Sequence, residues 1–484
     1  MIAHRMSISL IIFLLLCGSA FTEEVKCCGG DKPNQNSISL SSGEVTKFID
    51  SVMQEGMREE NIPGAVFVLV QNGKIVASKG FGYANVEQKK PVDAGKTVFP
   101  IASISKVFTA TAVMQLADRK KIDLHTDVNQ YLRKLKVPNT FDQPITAAHL
   151  LNHTAGLDEI RPGTQANSER EILPLHEFLK DRLVRVHPPG LVTSYSTYGI
   201  TLAGLLVEEL SGLSYETYLQ QNIWKPLQMD RTHIKTPGNL APDLAIGYAS
   251  EDNVIQRVPY EWYHTIPASS IRSTANDMAH FLIAHLQCGR FNTIRILSES
   301  AACQMHRTQS TTHPLLPGWT YGFQEDDTNG LKILEHGGDI AGFGSLLVLL
   351  PNENIGFFVA HHIEGANLRF KVKQAFLDRY FPDKRPVVVP TVKPDSKKQI
   401  ARFAGLYRAN NFCHTCEKPL PVAEVQVTIN DDGTITAWDH RWVEVSPLFF
   451  KRSDGKGRIG FQEDKTGRIL QMSAGSWKVL EKVK

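Results

Sequence analysis

The chain has 484 residues, of which 42% are hydrophobic and 21% charged, and its formal net charge is +3. This length and composition suffice for two or three domains with sizeable cores. The near-neutral charge and the lack of a basic tract exclude nucleic acid as an expected partner. Beyond the N-terminus, no apolar run in the sequence is long enough to span a bilayer.

Residues 1–20 have the pattern of a secretory signal peptide. His4 and Arg5 precede the apolar run 8–16, and a short segment of small residues follows it. This order of basic, apolar and small residues predicts cleavage near Ala20 and export of the remaining chain, as a secreted or periplasmic protein. The alternative is an uncleaved segment that anchors the chain in a membrane.

The segment from residue 42 to residue 380 alternates between helical and strand patterns. Helical spacing extends over Ser42–Glu59, and two β-rich runs flank the hairpin signal Asn72-Gly73. Residues 107–235 are expected to be mostly helical. Three strand patterns and a closing helix then follow, at Leu331–Glu335, Gly344–Leu350, Ile355–His361 and Leu368–Tyr380. Strands on both sides of a helical insert predict an α+β domain with one antiparallel sheet, flanking helices and a helical subdomain.

The last hundred residues follow a proline-rich boundary. Four prolines crowd residues 381–394, so the stretch 381–400 is expected to be a linker. Residues 401–484 show short strand patterns separated by turns, which is typical of an antiparallel β module, either a sheet or a small barrel. The predicted strands are Val422–Ile429, Thr434–Trp438, Trp442–Phe449, Gly457–Phe461 and Ile469–Ser473. No residue of this module has a catalytic pattern.

Cysteine usage is consistent with export. The chain has seven cysteines, and the six outside the leader are an even number that permits disulfides. Cys413-His414-Thr415-Cys416 has C-x-x-C spacing, but no second pair completes a zinc set. A local disulfide or two free thiols are expected there rather than a redox centre. The histidines show no metal-binding spacing, so neither a metal nor a cofactor is expected.

Ser103 and Lys106 are the strongest catalytic candidates. They lie three residues apart at the start of the apolar, helix-favouring segment 107–116. Residues i and i+3 share one face of a helix, so the lysine amine can reach the serine hydroxyl and accept its proton. Ser105 points elsewhere and is a poor rival. The alternative is that Ser103 caps the helix and Lys106 is solvated.

Three other segments contain the residues of a catalytic motif but not its structural context. Ser453-Asp454-Gly455-Lys456 repeats the Ser-x-x-Lys spacing on a turn with no helix behind it. Tyr83-Ala84-Asn85 lies in the first hairpin region, and Lys465-Thr466-Gly467 forms a turn signal between two strands. All three are interpreted as ordinary structure.

Six sequence blocks occur in a fixed order between residues 42 and 380. They are 62–64, 99–106, 150–157, 195–199, 273–278 and 336–338. In this order the segment resembles the serine β-lactamase-related hydrolases, the group of class C β-lactamases, D,D-peptidases, D-aminopeptidases and related esterases. The resemblance implies a penicillin-binding-protein-like fold. The module 401–484 resembles the small β domain that is often appended to such hydrolases.

The resemblance also implies roles for further residues. The family completes its site with a tyrosine and a Lys-Thr-Gly-like strand, and the matching residues here are Tyr195 and His336-Gly337-Gly338. Lys106 and Tyr195 would then move protons, the tyrosine with a lowered pKa. The backbone N–H groups of Ser103 and Asp339 would stabilise the oxyanion. The alternatives are that Tyr195 is a core aromatic and that His336 marks a strand end.

Thr197, His336, Gly338 and Asp339 are expected to bind the substrate, and two of them depart from the family pattern. Thr197 replaces an asparagine, and His336 replaces a lysine that would recognise a carboxylate. These departures favour an esterase or a D-amino-acid-type peptidase over a dedicated β-lactamase. The expected partner is a small-molecule or peptide ester or amide. The rival hypothesis is a non-catalytic scaffold that keeps the fold.

Overall fold

A computed structural model describes residues 38–252, 254–392, 399–418, 420–476 and 478–483. The predicted signal peptide 1–20 and part of the predicted linker 381–400 lie outside these ranges. Within them, no helix combines the length and the apolarity that crossing a bilayer requires.

A seven-stranded antiparallel sheet forms the centre of the first domain. Its strands are β1 (Gly64–Gln71), β2 (Lys74–Asn85), β3 (Lys90–Pro91), β4 (Gln324–Asp326), β5 (Ile333–Ile340), β6 (Phe343–Leu350) and β7 (Ile355–His361). Their order across the sheet is β4-β5-β6-β7-β1-β2-β3, so strands distant in sequence pair at β1 and β7. The predicted hairpin and the predicted antiparallel sheet are confirmed.

Helices cover both faces of this sheet. They are α1 (Ser42–Glu59), α2 (Ser105–Asp118), α3 (Ala147–Leu151), α4 (Leu175–Leu179), α5 (Thr197–Ser211), α6 (Tyr215–Leu219), α7 (Ile266–Ser269), α8 (Ala275–Leu286), α9 (Glu299–His306) and α10 (Leu368–Tyr380). Every residue of β1 is buried. Because side chains alternate along a strand, Val66 and Val68 pack with α2 and α8, whereas Phe67 and Leu69 pack with α1 and α10.

The segment 107–235 is less helical than predicted. No α-helix occurs between residues 119 and 146 or between residues 180 and 196. Prolines fall in or beside these stretches, where they remove backbone donors and disfavour the helical conformation of the preceding residue. Two short antiparallel ribbons join distant loops, namely Phe99–Pro100 with Arg272–Ser273 and Gln165–Ala166 with Trp262–Tyr263. Two more are local hairpins, namely Tyr248–Glu251 with Val254–Arg257 and Arg290–Phe291 with Ile294–Arg295.

The C-terminal module is a closed antiparallel barrel of eight strands. They are β8 (Gly405–Ala409), β9 (Glu424–Ile429), β10 (Ile435–Ala437), β11 (His440–Ser446), β12 (Phe449–Arg452), β13 (Arg458–Glu463), β14 (Ile469–Ser473) and β15 (Val479–Lys482). The sequence predicted five strands; it missed β8 and β15, which pair to close the barrel, and it missed β12 except for Phe449, which it assigned to the preceding strand. Tyr407, Phe450 and Phe461 fill the interior.

The barrel contacts the first domain through polar groups. Trp319 Nε1 donates to the Ser476 carbonyl at 3.0 Å, and Ser194 Oγ donates to the Asn410 carbonyl at 2.8 Å. The loop after β8 contains a disulfide between Cys413 and Cys416. The sequence left open a local disulfide or two free thiols at these cysteines, and the structure has the disulfide.

Candidate active site

Ser103 lies in a 3-10 turn that leads directly into α2. The preceding residue, Ala102, has a φ of 48°, a left-handed conformation that is strained for a residue with a side chain. Neighbouring segments hold the turn: Ile101 N donates to the Ile271 carbonyl at 3.0 Å, and Ser345 Oγ donates to the Ile101 carbonyl at 3.0 Å. The turn is therefore fixed from two sides, and it presents Ser103 to a cleft.

Lys106 follows one helical turn later and reaches the Ser103 hydroxyl. Its Nζ is 3.1 Å from Ser103 Oγ and donates to the Ala268 carbonyl at 2.9 Å. The lysine is 1% exposed, and burial lowers its pKa to about 7, although the Glu159 carboxylate opposes this shift. A substantial fraction of the amine is thus unprotonated near neutral pH. Ser105 points elsewhere, as predicted: its Oγ accepts a hydrogen bond from Ile271 N.

Glu159 lines the same cleft, and no sequence pattern pointed to it. Its Oε2 accepts a hydrogen bond from Thr197 N at 2.9 Å, at the first turn of α5. Burial raises its pKa, against the hydrogen bonds from Thr197 and the charge of Lys106. Glu159 follows the block 150–157 in an irregular segment, so only the fold brings it to the Ser103–Lys106 pair.

Tyr195 precedes α5 and carries its phenol to the same pair. Its hydroxyl is buried and hydrogen-bonds the Ser103 side chain. Lys106 Nζ lies 4.9 Å from the centroid of the tyrosine ring, which packs against the ring of His153 at 4.6 Å between centroids. Burial above all, aided by the Glu159 carboxylate, raises the pKa of Tyr195 well beyond its usual value.

The prediction of a lowered pKa for Tyr195 is therefore wrong. It assumed a charged Lys106 beside the phenol, whereas burial shifts Lys106 towards its neutral form. The same burial disfavours a phenolate. Tyr195 is accordingly a neutral phenol near neutral pH, and its chemistry is that of a proton donor.

His336 lies inside β5 and not at its end. It is fully buried, and its Nδ1 is 2.7 Å from the Gly337 carbonyl oxygen. Burial, together with the charge of Lys106, lowers the pKa of His336 to about 3, so the imidazole is neutral. A Cβ atom on Gly338 would lie 2.3 Å from the Ile101 carbonyl oxygen, so this position requires glycine for β5 to approach the Ser103 turn.

Asp339 continues β5 along the cleft. Its carboxylate accepts a hydrogen bond from Arg369 Nη2 at 2.7 Å, and its backbone pairs with Gly344 of β6. This pairing places the strand beside the Ser103 turn with a fixed register. The backbone of Asp339 is thus held rigidly where the family resemblance assigns it a role.

The cleft has a volume of about 580 Å³. The predicted site residues that line it are Ser103, Lys106, Tyr195, Thr197 and Asp339. His336 and Gly338 do not line it. Further lining residues, which the sequence did not single out individually, include Glu159, Arg161, Tyr263, Ser269 and Leu420. Leu420 comes from the segment between the first two barrel strands, so the β module contributes to the cleft wall, which its sequence did not indicate.

Comparison with known proteins agrees with this geometry. The family model for beta-lactamase matches residues 49–377. Protein flp of Staphylococcus aureus (strain MRSA252) is 27% identical over 326 residues, which are 64% of this chain and 62% of that protein. The chain therefore spans less than two thirds of the length of that relative. Penicillin-binding protein 4* of Bacillus subtilis (strain 168) is 25% identical over 379 residues, 73% of this chain and 81% of that protein.

A solved structure extends the likeness to the barrel. The octameric penicillin-binding protein homologue from Pyrococcus abyssi superimposes with a TM-score of 0.60 at 21% identity, covering 90% of this chain and all of that one. The family match spans the central sheet, helix α2 and the Ser103–Lys106 pair, and the matched residues 49–377 are most of the chain. The chain belongs to the beta-lactamase family, whose members are generally serine hydrolases.

Proposed function

We propose that this protein is a serine hydrolase that cleaves an ester or amide through an acyl-enzyme on Ser103. The observation that carries the proposal is the buried Lys106 amine, 3.1 Å from Ser103 Oγ and with a pKa near 7. A hydroxyl becomes a competent nucleophile when an adjacent base is unprotonated at the working pH. Burial of Lys106 supplies such a base without a histidine.

The proposed reaction has two halves. Ser103 Oγ attacks the carbonyl carbon while Lys106 Nζ takes its proton, and the backbone N–H groups of Ser103 and Asp339 receive the oxyanion. Tyr195, a neutral phenol hydrogen-bonded to Ser103, donates a proton to the leaving group and takes one back from the Lys106 ammonium, so both side chains return to their starting state. Water then attacks the ester carbon on Ser103 while Lys106 Nζ takes its proton. Lys106 passes this proton to Ser103 Oγ, which departs as the acid is released. The Ala268 carbonyl keeps Lys106 directed into the cleft throughout.

The chemistry of the cleft supports an esterase or a D-amino-acid-type peptidase over a dedicated β-lactamase. Neutral His336 offers no permanent cation at the position where the family pattern has lysine. Thr197 presents a hydroxyl in place of an amide, and thereby loses the option of two hydrogen bonds to one substrate amide. The carboxyl groups of Glu159 and Asp339 line the cleft and offer hydrogen-bond acceptors to a substrate amine, although Arg369 already pairs with Asp339.

Export of the chain is a second proposal, on the pattern of residues 1–20. The Cys413–Cys416 disulfide supports it, because disulfides persist in oxidising compartments outside the cytosol. Western analysis of cell fractions and medium, with N-terminal sequencing of the mature chain, tests it. A chain retained in the cytosol with Met1 intact would contradict export.

Intact-mass spectrometry with a panel of acyl donors tests the enzymatic proposal. The panel contains a short p-nitrophenyl ester, a D-amino-acid amide, a chromogenic cephalosporin and a penicillin, the last because one relative is named as a penicillin-binding protein. We expect an acyl adduct on Ser103, and faster turnover of the ester or the D-amino-acid amide than of the cephalosporin. No adduct with any donor would favour the non-catalytic scaffold instead.

A further inference from the structure

Three side chains from distant parts of the chain converge where the barrel meets the first domain. His187 lies in the segment between α4 and α5, His414 in the disulfide loop, and Glu481 on β15. The Nε2 atoms of His187 and His414 lie 3.1 and 3.2 Å from Glu481 Oε2. All three potential ligand atoms lie within 4.8 Å of one another. We propose that this His187–His414–Glu481 cluster binds a divalent zinc-class metal ion.

The spacing of the donor atoms suits a tetrahedral ion. Zinc binds histidine nitrogen and carboxylate oxygen at about 2.0–2.1 Å, which places neighbouring ligand atoms roughly 3.3 Å apart. The two contacts to Glu481 Oε2, at 3.1 and 3.2 Å, are already close to that separation. An ion could therefore enter with small side-chain movements, and water would take the fourth position.

A buried carboxylate orients one of the histidines. Asp158 Oδ1 is 3.2 Å from His414 Nδ1 and accepts a hydrogen bond from His414 N at 2.8 Å. This contact fixes the imidazole so that Nε2 points to Glu481, the arrangement that metal-binding histidines usually have with a second carboxylate. The Phe412 ring stacks on His414 at 3.9 Å between centroids, and the Cys413–Cys416 disulfide closes the loop around it.

The donor set also selects the class of ion. Two imidazole nitrogens and one carboxylate suit zinc, copper or nickel, whereas magnesium and calcium prefer oxygen ligands alone. The side chains of His187, His414 and Glu481 are only 17–20% exposed, which shields the ion but leaves an entry path. The cysteines of the loop are not available as ligands, because they form the disulfide.

A metal here would join the barrel to the first domain. His187 belongs to the first domain, whereas His414 and Glu481 belong to the barrel module. Asp158 directly precedes Glu159, which lines the catalytic cleft. The cluster itself does not line the cleft, so the proposed ion has a structural role, and the proposal does not depend on the hydrolase activity.

Zinc titration of the tag-free full chain, freed of metal with EDTA, tests this proposal near neutral pH. We expect one zinc ion per chain by isothermal titration calorimetry, and a Tm that rises with zinc concentration. His187→Ala, His414→Ala and Glu481→Gln should each weaken zinc binding at least tenfold. Exposed His125 lies outside the cluster, and His125→Ala is the matched control that should bind zinc like the wild type.

The variants are compared after circular dichroism has shown that each is folded without metal. Glu481→Gln keeps an acceptor for the histidines, so it separates loss of the metal from loss of the fold. Addition of Co²⁺ gives an independent readout, since tetrahedral cobalt absorbs visible light; the wild type and His125→Ala should show this band, and the three cluster variants should not. Absence of saturable zinc binding, or equal binding by His414→Ala and the wild type, would overturn the proposal and leave two histidine–glutamate ion pairs.

Discussion

Ser103 and Lys106 share their spacing with Ser453 and Lys456, yet the two pairs lie in opposite surroundings. The first pair lies at the start of α2, with Lys106 1% exposed and 3.1 Å from the serine oxygen. The second lies on an exposed turn at Gly455, whose φ is 77°. There the main chain is held by Asp454, which accepts a hydrogen bond from Lys456 N at 2.9 Å.

The difference lies in what surrounds the lysine amine. Water solvates an ammonium group on a turn and keeps it protonated, whereas the apolar interior disfavours the charge. Around Lys106 the fold supplies burial, the Ala268 carbonyl and the Tyr195 ring. Sequence spacing places two groups near each other; burial decides whether the pair can do chemistry. Residues of the second Ser-x-x-Lys copy and of Tyr83-Ala84-Asn85 are therefore natural controls for those of the site.

Loss of the nucleophile has the largest expected effect. Ser103→Ala should abolish labelling by a fluorophosphonate probe, because no oxygen remains to attack the phosphorus. Ser453→Ala should label like the wild type. In-gel fluorescence of the two variants and the wild type measures this, and labelling that survives in Ser103→Ala would remove Ser103 from the mechanism.

Loss of the Tyr195 hydroxyl has the second largest expected effect on activity, and loss of the Tyr83 hydroxyl should have none. Tyr195→Phe keeps the ring packing but removes the proton donor, and should lower kcat by roughly 10²–10⁴. Tyr83, 45% exposed on β2, has no part in the cleft, so Tyr83→Phe should leave kcat unchanged. Steady-state hydrolysis of an alkyl ester, whose poor leaving group must be protonated as it departs, measures both. Equal rates for all three proteins would show that Tyr195 carries no proton.

Lys106 should also cost the protein stability. Its pKa is about 7 in the fold and 10.5 in the unfolded chain, and below pH 7 this difference lowers the free energy of unfolding by roughly 5 kcal/mol. Between these two pKa values the unfolded chain holds the lysine proton and the folded chain does not. The free energy of unfolding should therefore rise as pH increases from about 7 to about 10.

Lys106→Met relieves this cost but gives up the hydrogen bond to the Ala268 carbonyl. The net gain in the free energy of unfolding should be about 1–3 kcal/mol at neutral pH. Lys456→Met, at an exposed position, should change it by less than about 0.5 kcal/mol. Urea denaturation measures both, and a destabilised Lys106→Met would argue against a strained, neutral lysine.

The smallest expected effect is a shift of the pH profile. Glu159 raises the pKa of Lys106, so Glu159→Gln should lower that pKa further and move the acidic limb of kcat/KM to lower pH, by less than about one unit. The amide still accepts the hydrogen bond from Thr197 N. Asp454→Asn, beside Lys456, is the control and should not move the limb. A limb that moves to higher pH would contradict the assigned charge interaction.

Local apolar patterns predicted most of the fold because they record burial directly. Helix α1 follows from apolar residues at helical spacing, whereas strands β1, β6 and β7 are continuous apolar runs bounded by turn residues and are buried along their whole length. The first and last strands of the barrel, β8 and β15, were missed because each depends on pairing with a partner that is distant in sequence. Likewise, Glu159 reaches the cleft through an irregular loop, and no local pattern reports such a path.

The sequence predicted the main residues of the site but not their protonation or their burial. Spacing alone proposed Ser103 and Lys106, while Tyr195 and Asp339 came from the family resemblance, and the structure brings all four to one cleft. The protonation of Tyr195 was predicted wrongly, since a pKa depends on burial from every side. The sequence also could not show that His336 is fully buried and does not line the cleft.

The central claim is that burial makes Lys106 an unprotonated base for Ser103 near neutral pH. The sharpest test is the rate at which a fluorophosphonate phosphonylates Ser103, measured in the wild type across a broad pH range. We expect a rate that rises with pH and levels off with an apparent pKa of about 7. A rate that keeps rising to an apparent pKa near 10, the ordinary value for lysine, would contradict it.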